Sequence, residues 1–342
     1  MKDDLDFDGV VQIACGHTAS QLLWAGVQLG VFDALSANPN QTRDQIATKI
    51  GLQSQPTRIL MTGLAALKLV QKDGDLFRNS ASSEKLLTRA SPDNMIDVLG
   101  WQIHIVYPSA VDLIDSLKQF KNVGLRHFKG EADNIYHRLP HNPFIEKVFH
   151  DAMMSLSNSA NAELAKLPIF DSIKHMVDAG GGAGQNAMAL VKAHPTLKVT
   201  VFDGASACGI AKENVAKARL AEQIDTWPGD FFLDAFPPNI DAVFFGHMMT
   251  IWSPERNTGL LRRAYDALPP GGRVLVFNMM GDDDEIGPMS AALGSPYFLT
   301  TATGQGMMYS WREHEAFLAA AGFKQTERHV LPKDHGLLVG IK

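Results

Sequence analysis

The order of apolar and polar residues predicts an α/β fold for the second half of the chain. From residue 175 onward, short apolar runs end at glycine, proline or an acid, and longer mixed stretches lie between them. The predicted strands are His175–Val177, Leu197–Phe202, Ile240–Gly246, Arg273–Phe277, Lys324–Val330 and Gly336–Ile341. The predicted helices are Gln185–Ala193, Ala205–Leu220, Glu255–Ala267 and Trp311–Ala321. This alternation is typical of a doubly wound, mostly parallel sheet.

The first part of the chain is predicted to be mostly helical. Within residues 10–35, the stretch Gln21–Phe32 carries apolar side chains on more than one face, which predicts burial on several sides. An internal helix and a helix at a subunit interface both satisfy this pattern.

A winged helix is predicted next. Thr42 is suited to cap a short helix that ends at Gly51, and a second helix begins at Gln55–Pro56. Leu69–Arg78 has the pattern of a hairpin with an Asp-Gly turn. DNA-binding regulators use such domains and neutralise phosphates with basic side chains. Acidic residues slightly outnumber basic ones in residues 1–100, so charge argues against DNA binding.

A helical segment over residues 95–160 carries aromatic and sulfur-containing side chains. The candidates are Trp101, His104, Tyr107, Met153 and Met154. They fit ordinary core packing, and they also fit the roof of a substrate pocket, because the segment leads into the α/β half. We place the domain boundary near residue 160. This division gives a helical and winged domain at 1–160 and an α/β domain at 161–342.

Composition narrows the classes of function. The 342 residues are 45% hydrophobic and 20% charged, and a net charge of -6 does not suit a general nucleic-acid surface. The two cysteines, Cys15 and Cys208, and the histidines form no recognisable metal motif, so we expect a reducing compartment and no metal. Met1–Asp6 lacks the features of a signal peptide, and no apolar run reaches membrane-spanning length. We therefore expect a soluble, cytoplasmic protein that does not bind membranes.

A glycine-rich turn follows the first predicted strand of the α/β half. Asp178 precedes Gly180, Gly182 and Gly184 in the pattern D-x-G-G-G-x-G, and the next predicted strand ends at Asp203. Glycines let the backbone turn sharply and approach a ligand. A carboxylate at the end of the second strand is placed to bind ribose hydroxyls. The pattern predicts a nucleotide site, although a tight strand-to-helix turn alone would also contain glycines.

The leading acid distinguishes this motif from the usual dinucleotide pattern G-x-G-x-x-G. The motif resembles motif I of the class I methyltransferases, which bind S-adenosyl-L-methionine. This resemblance implies a Rossmann-like sheet. It also implies that Asp178 and the glycines lie near the methionine end of the cofactor and that Asp203 holds the ribose.

The whole chain resembles the dimeric small-molecule O-methyltransferases of the caffeate and acetylserotonin type. The shared segments are the winged domain, motif I, Gly229–Phe232, Leu268–Arg273 and Ala320–Phe323. In that family the segment that corresponds to Gly229–Phe232 has an aspartate beside the adenine. The resemblance therefore gives this role to Asp230, with Gly229 before it and Phe231 in contact with the adenine ring. It also implies a small-molecule substrate and a homodimer joined through the N-terminal domains.

One segment departs from the family at the expected catalytic position. The family has Leu-His-Asp-Trp after the fourth strand, and its histidine deprotonates the phenol. Here the sequence is His247-Met-Met-Thr-Ile-Trp252, so Thr250 occupies the histidine position. The family's supporting glutamate is also replaced, because Trp311 falls near its position.

A missing base favours an acceptor that has no proton to lose. A phenol has a pKa near 10 and benefits from a general base, whereas a thioether needs only a dry pocket and aromatic faces for its sulfonium product. Candidates for those faces are Trp101, Tyr107, Tyr297, Tyr309 and Trp311, with Met153 and Met154 as soft contacts. The pattern is similar to the methylthiohydroxybutyrate S-methyltransferases of dimethylsulfoniopropionate synthesis. Their substrate carries a carboxylate, which Arg126 or His127 would hold.

Two alternatives stay open from the sequence. The chain could methylate the oxygen of a phenol, enol or polyketide with His247 as the base. Relatives that keep the usual catalytic histidine also have a histidine at the position of His247, which favours a structural role for it. It could also bind the cofactor without transferring its methyl group, in a rearrangement or hydroxylation.

Overall fold

The computed structural model describes residues 4–342, apart from the side chain of Ser159. Backbone contacts divide the chain into a first unit, Met1–Ile103, and a second unit, His104–Lys342. The boundary predicted near residue 160 differs from this division and falls inside a long helix. That helix packs Ala160 and Leu164 into the core of the second unit, which explains why contacts assign the preceding residues to that unit.

The first unit contains the predicted winged helix. Its helices are α1 (Phe7–Ala14), α2 (Gly16–Gln28), α3 (Val31–Ala37), α4 (Arg43–Ile50), α5 (Ser54–Ala66), α6 (Ala81–Leu86) and α7 (Ile96–Trp101), and its strands are β1 (Gln41–Thr42), β2 (Val70–Asp73) and β3 (Leu76–Asn79). Thr42 caps α4 in a reciprocal capping box with Gln45, and Gly51 ends the helix in the left-handed region, as predicted. The strands pair in the order β1-β3-β2.

The second unit begins with a helical segment and continues as a seven-stranded sheet. Its helices are α8 (Tyr107–Ala110), α9 (Leu113–Gln119), α10 (Ile135–Arg138), α11 (Pro143–Leu164), α12 (Gln185–Ala193), α13 (Ala205–Lys217), α14 (Pro254–Ala267), α15 (Met289–Tyr297) and α16 (Trp311–Ala321). Its strands are β4 (His175–Ala179), β5 (Lys198–Asp203), β6 (Ile224–Pro228), β7 (Ala242–Gly246), β8 (Arg273–Met279), β9 (Gln325–Val330) and β10 (His335–Ile341).

The sheet has the strand order β6-β5-β4-β7-β8-β10-β9, and β10 runs antiparallel to both of its neighbours. Alternate residues of each strand enter two separate cores. Val243 and Val276 pack with α14 and α16 on one face. Phe244 and Phe277 pack with α11, α12 and α13 on the other. The predicted α/β, Rossmann-like fold is confirmed. Its parallel strands place the ends of β4, β5, β7 and β8 along one edge, where ligands of such sheets bind.

Candidate functional site

The glycine-rich turn joins β4 to α12 at the carboxyl edge of the sheet. Gly180, Gly182 and Gly184 have φ angles of 75°, 53° and 80°. These values lie in the left-handed region, which side chains with a Cβ adopt at a cost. A Cβ on Gly180 would also overlap Sδ of Met248 and would lie 2.8 Å from its Cε. The turn therefore requires glycine at position 180 for conformation and for space.

Asp203 ties this turn to the end of β5. Its Oδ2 accepts a hydrogen bond of 2.9 Å from the backbone N–H of Gly182, and its Oδ1 accepts one of 2.7 Å from Gly204. Burial raises the pKa of Asp203, and these two N–H groups partly offset the effect. Each carboxylate oxygen has a second lone pair. Asp203 can therefore hold the turn and accept a hydroxyl of a bound ribose at the same time.

Asp178 lies at the end of β4 and is fully buried. Within residues 4–342 its carboxylate oxygens have no hydrogen bond of normal geometry. Burial, followed by the charge of Asp203, raises the pKa of Asp178 to about 7, while the N–H of Ala187 acts in the opposite direction. A buried carboxylate without a partner is costly. A cationic ligand group beside Asp178 would relieve this cost.

Further polar atoms are buried without partners at the same edge. In the described part of the chain they include Oδ1 of Asn186 at the start of α12, Nε2 of His247 after β7, and both amide atoms of Asn278 near the end of β8. Buried polar atoms are nearly always paired, so such a cluster indicates a ligand or ordered water. Asn186 and Asn278 were not among the predicted site residues, because an isolated asparagine in a helix or strand carries no distinguishing pattern.

The segment after β6 extends this site. The N–H of Gly229 donates to the carbonyl of Asp203 at 3.0 Å, and Phe231 meets Phe202 edge-on at 6.2 Å between ring centres. Asp230 is exposed, and its Oδ1 accepts from the N–H of Phe232 at 2.8 Å. The arrangement leaves Phe231 half-buried beside the end of β5. The contacts of adenine with Asp230 and Phe231 stay predictions.

The residues present fit S-adenosylmethionine. The cofactor has a ribose, which Asp203 can bind, and it has cationic sulfonium and ammonium groups, which the unpaired Asp178 can balance. The closed glycine turn lets the backbone approach the ligand without side chains in between. Among residues 4–342, no group of three or more histidines, cysteines or acids is arranged to hold a metal ion.

His247 is held in a way that does not suit a general base. Its backbone N–H donates to the carbonyl of Phe277 at 2.7 Å, and its ring lies 5.0 Å from the ring of Phe277 and 5.3 Å from that of His335. Burial, together with the proximity of His335, lowers the pKa of His247 to about 3. A base with so low a pKa accepts protons poorly near neutral pH. The position therefore argues against His247 as the substitute base.

Thr250 lies in a tightly bound turn. Its side chain is buried, and its hydroxyl donates to the carbonyl of His247 at 3.4 Å. The turn is further fixed by Asn257, whose Nδ2 donates to the carbonyls of Met249 at 2.6 Å and Trp252 at 3.2 Å. Threonine does not ionise near neutral pH, so this position supplies packing and no proton acceptor.

Replacing Thr250 by alanine is expected to lower kcat by less than about tenfold, a barrier change of roughly 1.4 kcal/mol. The variant loses a methyl group and one long hydrogen bond, and Asn257 still holds the turn. Single-turnover kinetics with saturating cofactor would measure the effect. A loss of several orders of magnitude would show that the hydroxyl takes part in the chemistry.

The aromatic candidates occupy different surroundings. Tyr309 is buried, and its hydroxyl donates to the carbonyl of Trp252 at 2.8 Å. Trp311 lies against Gly336, where a Cβ would overlap the indole ring. Tyr297 is also buried. Tyr309 and Trp311 therefore flank the 247–252 segment and β10, and their contact with a substrate stays a prediction.

The remaining pocket candidates are spread along the helical segment. Trp101 ends α7 in the first unit, whereas His104 and Tyr107 belong to the second. On α11, Met153 is half-buried and Met154 is 41% exposed. Their predicted roles as a substrate roof stay predictions.

Arg126 and His127 share a buried partner, Asp112, which was not among the predicted site residues. Asp112 accepts a hydrogen bond from Arg126 and another, of 2.9 Å, from Nε2 of His127. Arg126 points outward, with 62% of its side chain exposed. His127 lines a cavity together with His104. Of the two carboxylate-binding candidates, His127 is therefore better placed.

A buried neutral histidine should make the fold sensitive to acid. His314 is buried, its Nε2 has no partner in the described part of the chain, and burial lowers its pKa to about 3. The contribution of this lowered pKa to the free energy of unfolding is complete above the unfolded pKa near 6.5 and is lost as pH falls toward 3. The reason is that the unfolded chain binds a proton at this histidine in that range and the folded chain does not.

Replacing His314 by leucine should therefore favour the variant over the parent progressively as the pH falls. Relative to pH 7.5, the stability difference between them should move by about 1.4 kcal/mol in favour of the variant at pH 5.5. Urea unfolding at both values of pH measures this shift. A parallel decline of both proteins would contradict it.

Comparison with known proteins agrees with this geometry. Residues 112–324 match the O-methyltransferase domain, and residues 11–89 match the O-methyltransferase dimerisation domain. The chain is similar to an L-tyrosine C(3)-methyltransferase of Streptomyces lavendulae, with 34% identity over 100% of this chain and 94% of the relative.

Solved structures give the same result. The apo structure of the S-adenosylmethionine-dependent methyltransferase SibL has a TM-score of 0.86 and 36% identity and covers 98% of this chain and 99% of SibL. Human N-acetylserotonin methyltransferase in complex with SAM has a TM-score of 0.84 and 26% identity, over 100% of this chain and 99% of the human chain. These matches confirm the predicted cofactor and give no support to the DNA-binding alternative. The chain belongs to the O-methyltransferase family and is an S-adenosylmethionine-dependent methyltransferase that carries the family's dimerisation domain.

Proposed function

We propose that this enzyme methylates a ring carbon of a phenolic amino acid or a similar aromatic acid. The observation that carries the proposal is Thr250, which stands at the family's base position with its hydroxyl donated to a backbone carbonyl. A site without a base there is poorly equipped to deprotonate an attacking phenol oxygen. The similarity over the whole chain to a tyrosine C(3)-methyltransferase supports carbon as the acceptor atom.

The protein's part in this reaction is to bind and to orient. Bound S-adenosylmethionine supplies an activated methyl group. Asp203 and the glycine turn fix the ribose, and Asp178 balances the positive charge near the reacting centre. The bonds of Asn257 and Tyr309 to the 247–252 segment keep that wall rigid. Such positioning can account for much of the barrier reduction in a two-substrate reaction.

The bonds changed in the two reactions differ in their need for a base. In ring methylation the acceptor carbon forms a bond to the methyl carbon, the bond from the methyl group to sulfur breaks, and the ring afterwards releases one proton to solvent. In thioether methylation a sulfur lone pair forms the new bond and no proton is released. Neither reaction requires proton removal from the attacking atom before the methyl group moves.

Methylation of a thioether acid, 4-methylthio-2-hydroxybutyrate, is the second candidate, and dimethylsulfoniopropionate synthesis would be its context. The specific observation in its favour is again the absence of a proton acceptor at position 250. The buried rings of Tyr297 and Tyr309 are suited to stabilise a sulfonium product if they face the acceptor.

One experiment separates these candidates. Purified enzyme and S-adenosylmethionine with a carbon-13 methyl group are incubated separately with L-tyrosine, 4-methylthio-2-hydroxybutyrate and catechol. The carbon-13 shift of the product methyl distinguishes attachment to carbon, sulfur or oxygen. We expect a ring-methylated product from tyrosine. Label only on sulfur would establish the second candidate, and label only on oxygen would contradict both. Retained cofactor binding without any methyl transfer would favour the non-methylating alternative.

We infer that the first unit joins two copies into a homodimer. On α1, Phe7 and Ile13 are 81% and 71% exposed, and none of its residues is buried within the chain. Exposed apolar residues grouped on one helix are typical of an interface, and the dimerisation domain match begins within this helix. Light scattering after chromatography should give twice the chain mass, and a Phe7→Glu, Ile13→Glu double variant should shift the mass toward the monomer.

The predicted cytoplasmic location stays a prediction. Across residues 4–342, no helix combines the length and the apolar character that crossing a bilayer requires. Binding of nucleic acid is not part of the proposed function.

A further inference from the structure

A small cavity in the second unit is lined by basic side chains. Its volume is about 180 Å³. The polar residues of its wall are His104, His127, Lys129, Arg138 and Asn142. No aspartate or glutamate belongs to this wall in the part of the chain that the structure describes. An anion entering this cavity would therefore meet donors and positive charge without an opposing carboxylate at the surface.

His127 is oriented by a carboxylate behind the wall. Asp112 is 4% exposed and lies 2.9 Å from Nε2 of His127. A carboxylate bound at one ring nitrogen fixes the orientation of the imidazole. The histidine thus has a set position in the cavity wall, and because Nε2–H is donated to Asp112, it offers an anion a donor at Nδ1 only when the ring carries both protons.

Arg138 holds the loop that carries His127 and Lys129. Its Nε donates to the carbonyl of Ala132 at 2.6 Å, and its Nη1 donates to those of Leu125 at 3.0 Å and Phe128 at 2.9 Å. These three hydrogen bonds use Nε and Nη1 of Arg138 and do not involve its third nitrogen, Nη2. The guanidinium therefore shapes the wall and adds a permanent positive charge to it.

The positive end of a long helix also reaches this cavity. Asn142 is the N-cap of the 22-residue helix α11, and its Oδ1 accepts from the N–H groups of Phe144 at 3.2 Å and Ile145 at 3.4 Å. The N-terminus of a helix favours anions. Ile145, from the first turn of α11, lies in the wall as well.

We propose that this cavity binds the carboxylate of the methyl acceptor, with His127 and Lys129 as the binding residues. The proposal rests on the function proposed above, and it narrows the substrate class to acceptors that bear a carboxylate. A volume of about 180 Å³ has room for a carboxylate and a few neighbouring atoms, so the rest of the acceptor would have to lie outside the cavity. Arg126 is not part of the wall, so the assignment goes to His127 rather than to its neighbour.

Kinetics with matched acceptors test the assignment. L-Tyrosine and its decarboxylated counterpart, tyramine, are compared in the parent and in the variants Lys129→Gln and His127→Gln. Each variant should raise KM for tyrosine about tenfold or more and change kcat less than threefold, and tyramine should be a poor substrate of all three. Lys118→Gln, which removes an exposed positive charge on α9 outside the wall, is the matched control and should behave like the parent.

Equal use of tyramine and tyrosine by the parent would overturn the proposal, as would an unchanged KM in both variants. If neither amine nor acid is methylated, NMR of the enzyme with carbon-13-labelled histidine still decides the question. The His127 ring signal, assigned from the His127→Gln spectrum, should shift on addition of tyrosine or 4-methylthio-2-hydroxybutyrate and not on addition of tyramine or inorganic phosphate. Absence of a shift with both acids overturns the site itself, independently of the proposed function. A shift with phosphate alone would also overturn it, because it would assign the cavity to a different anion.

Discussion

Replacing Asp203 by alanine is expected to raise the Kd of S-adenosylmethionine by about 100-fold. The carboxylate holds the N–H groups of Gly182 and Gly204 at 2.9 and 2.7 Å and is the predicted partner of the ribose. Hydrogen bonds to charged groups contribute about 1.5–3 kcal/mol each. The variant loses the ribose bond and leaves the turn without its anchor, so a total of about 3 kcal/mol is expected, which is roughly 100-fold in affinity.

Isothermal titration of the purified proteins with the cofactor measures this change. Asp225→Ala is the matched control, because Asp225 is an exposed acid on the neighbouring strand β6 whose Oδ1 accepts the N–H of the next residue. Its Kd should stay within threefold of the parent value. A similar result for Asp203→Ala would contradict the role of Asp203 in binding.

Replacing Gly180 by alanine is expected to destabilise the second unit by about 2–5 kcal/mol. The residue has φ of 75°, and its new Cβ would overlap Sδ and lie 2.8 Å from Cε of Met248. The left-handed conformation costs roughly 1–2 kcal/mol in a residue with a Cβ, and overpacking in a filled site costs about 1–3 kcal/mol. Met248 lies in the core between the sheet and α14, so relief would require movement of the 247–252 segment.

Urea unfolding followed by circular dichroism measures the loss, and cofactor titration should show weaker binding because the turn is displaced. Gly209→Ala is the control. Gly209 lies in α13, a Cβ on it would meet no atom within 4 Å, and its backbone does not have a positive φ. Alanine should be neutral or stabilise the helix there by up to about 1 kcal/mol. Equal stability of both variants would show that the turn can rearrange around a Cβ.

Local signals predicted most of the elements well. The helices at 185–193 and 311–321 were predicted with the observed bounds, since apolar spacing and capping residues such as Ser310 are local properties. The helix α15 was not predicted. It contains Gly294 and Pro296, which are poor helix formers, and it continues into a π-helical segment at Phe298–Ala302. It packs against α8 and against the 298–302 segment, and no local pattern reveals these contacts.

The cofactor and the replacement of the family's catalytic histidine by Thr250 could both be recognised from the sequence alone. The glycine turn, Asp178 and Asp203 lie within one strand-turn-helix-strand unit. Trp252 aligns with the tryptophan of the family's Leu-His-Asp-Trp segment, and this alignment puts Thr250 at the histidine position. Such features depend on neighbours along the chain, so they can be recognised before the fold is known.

The behaviour of the remaining polar groups depends on tertiary contacts. His247 is kept neutral because β8 and β10 bring Phe277 and His335 against its ring. His127 is proposed over Arg126 as the carboxylate-binding residue because the residue before α9, Asp112, lies beside it and the start of α11 lines the same cavity. Burial and charge at these positions arise from residues far apart in sequence, and their effects exist only after the chain has packed.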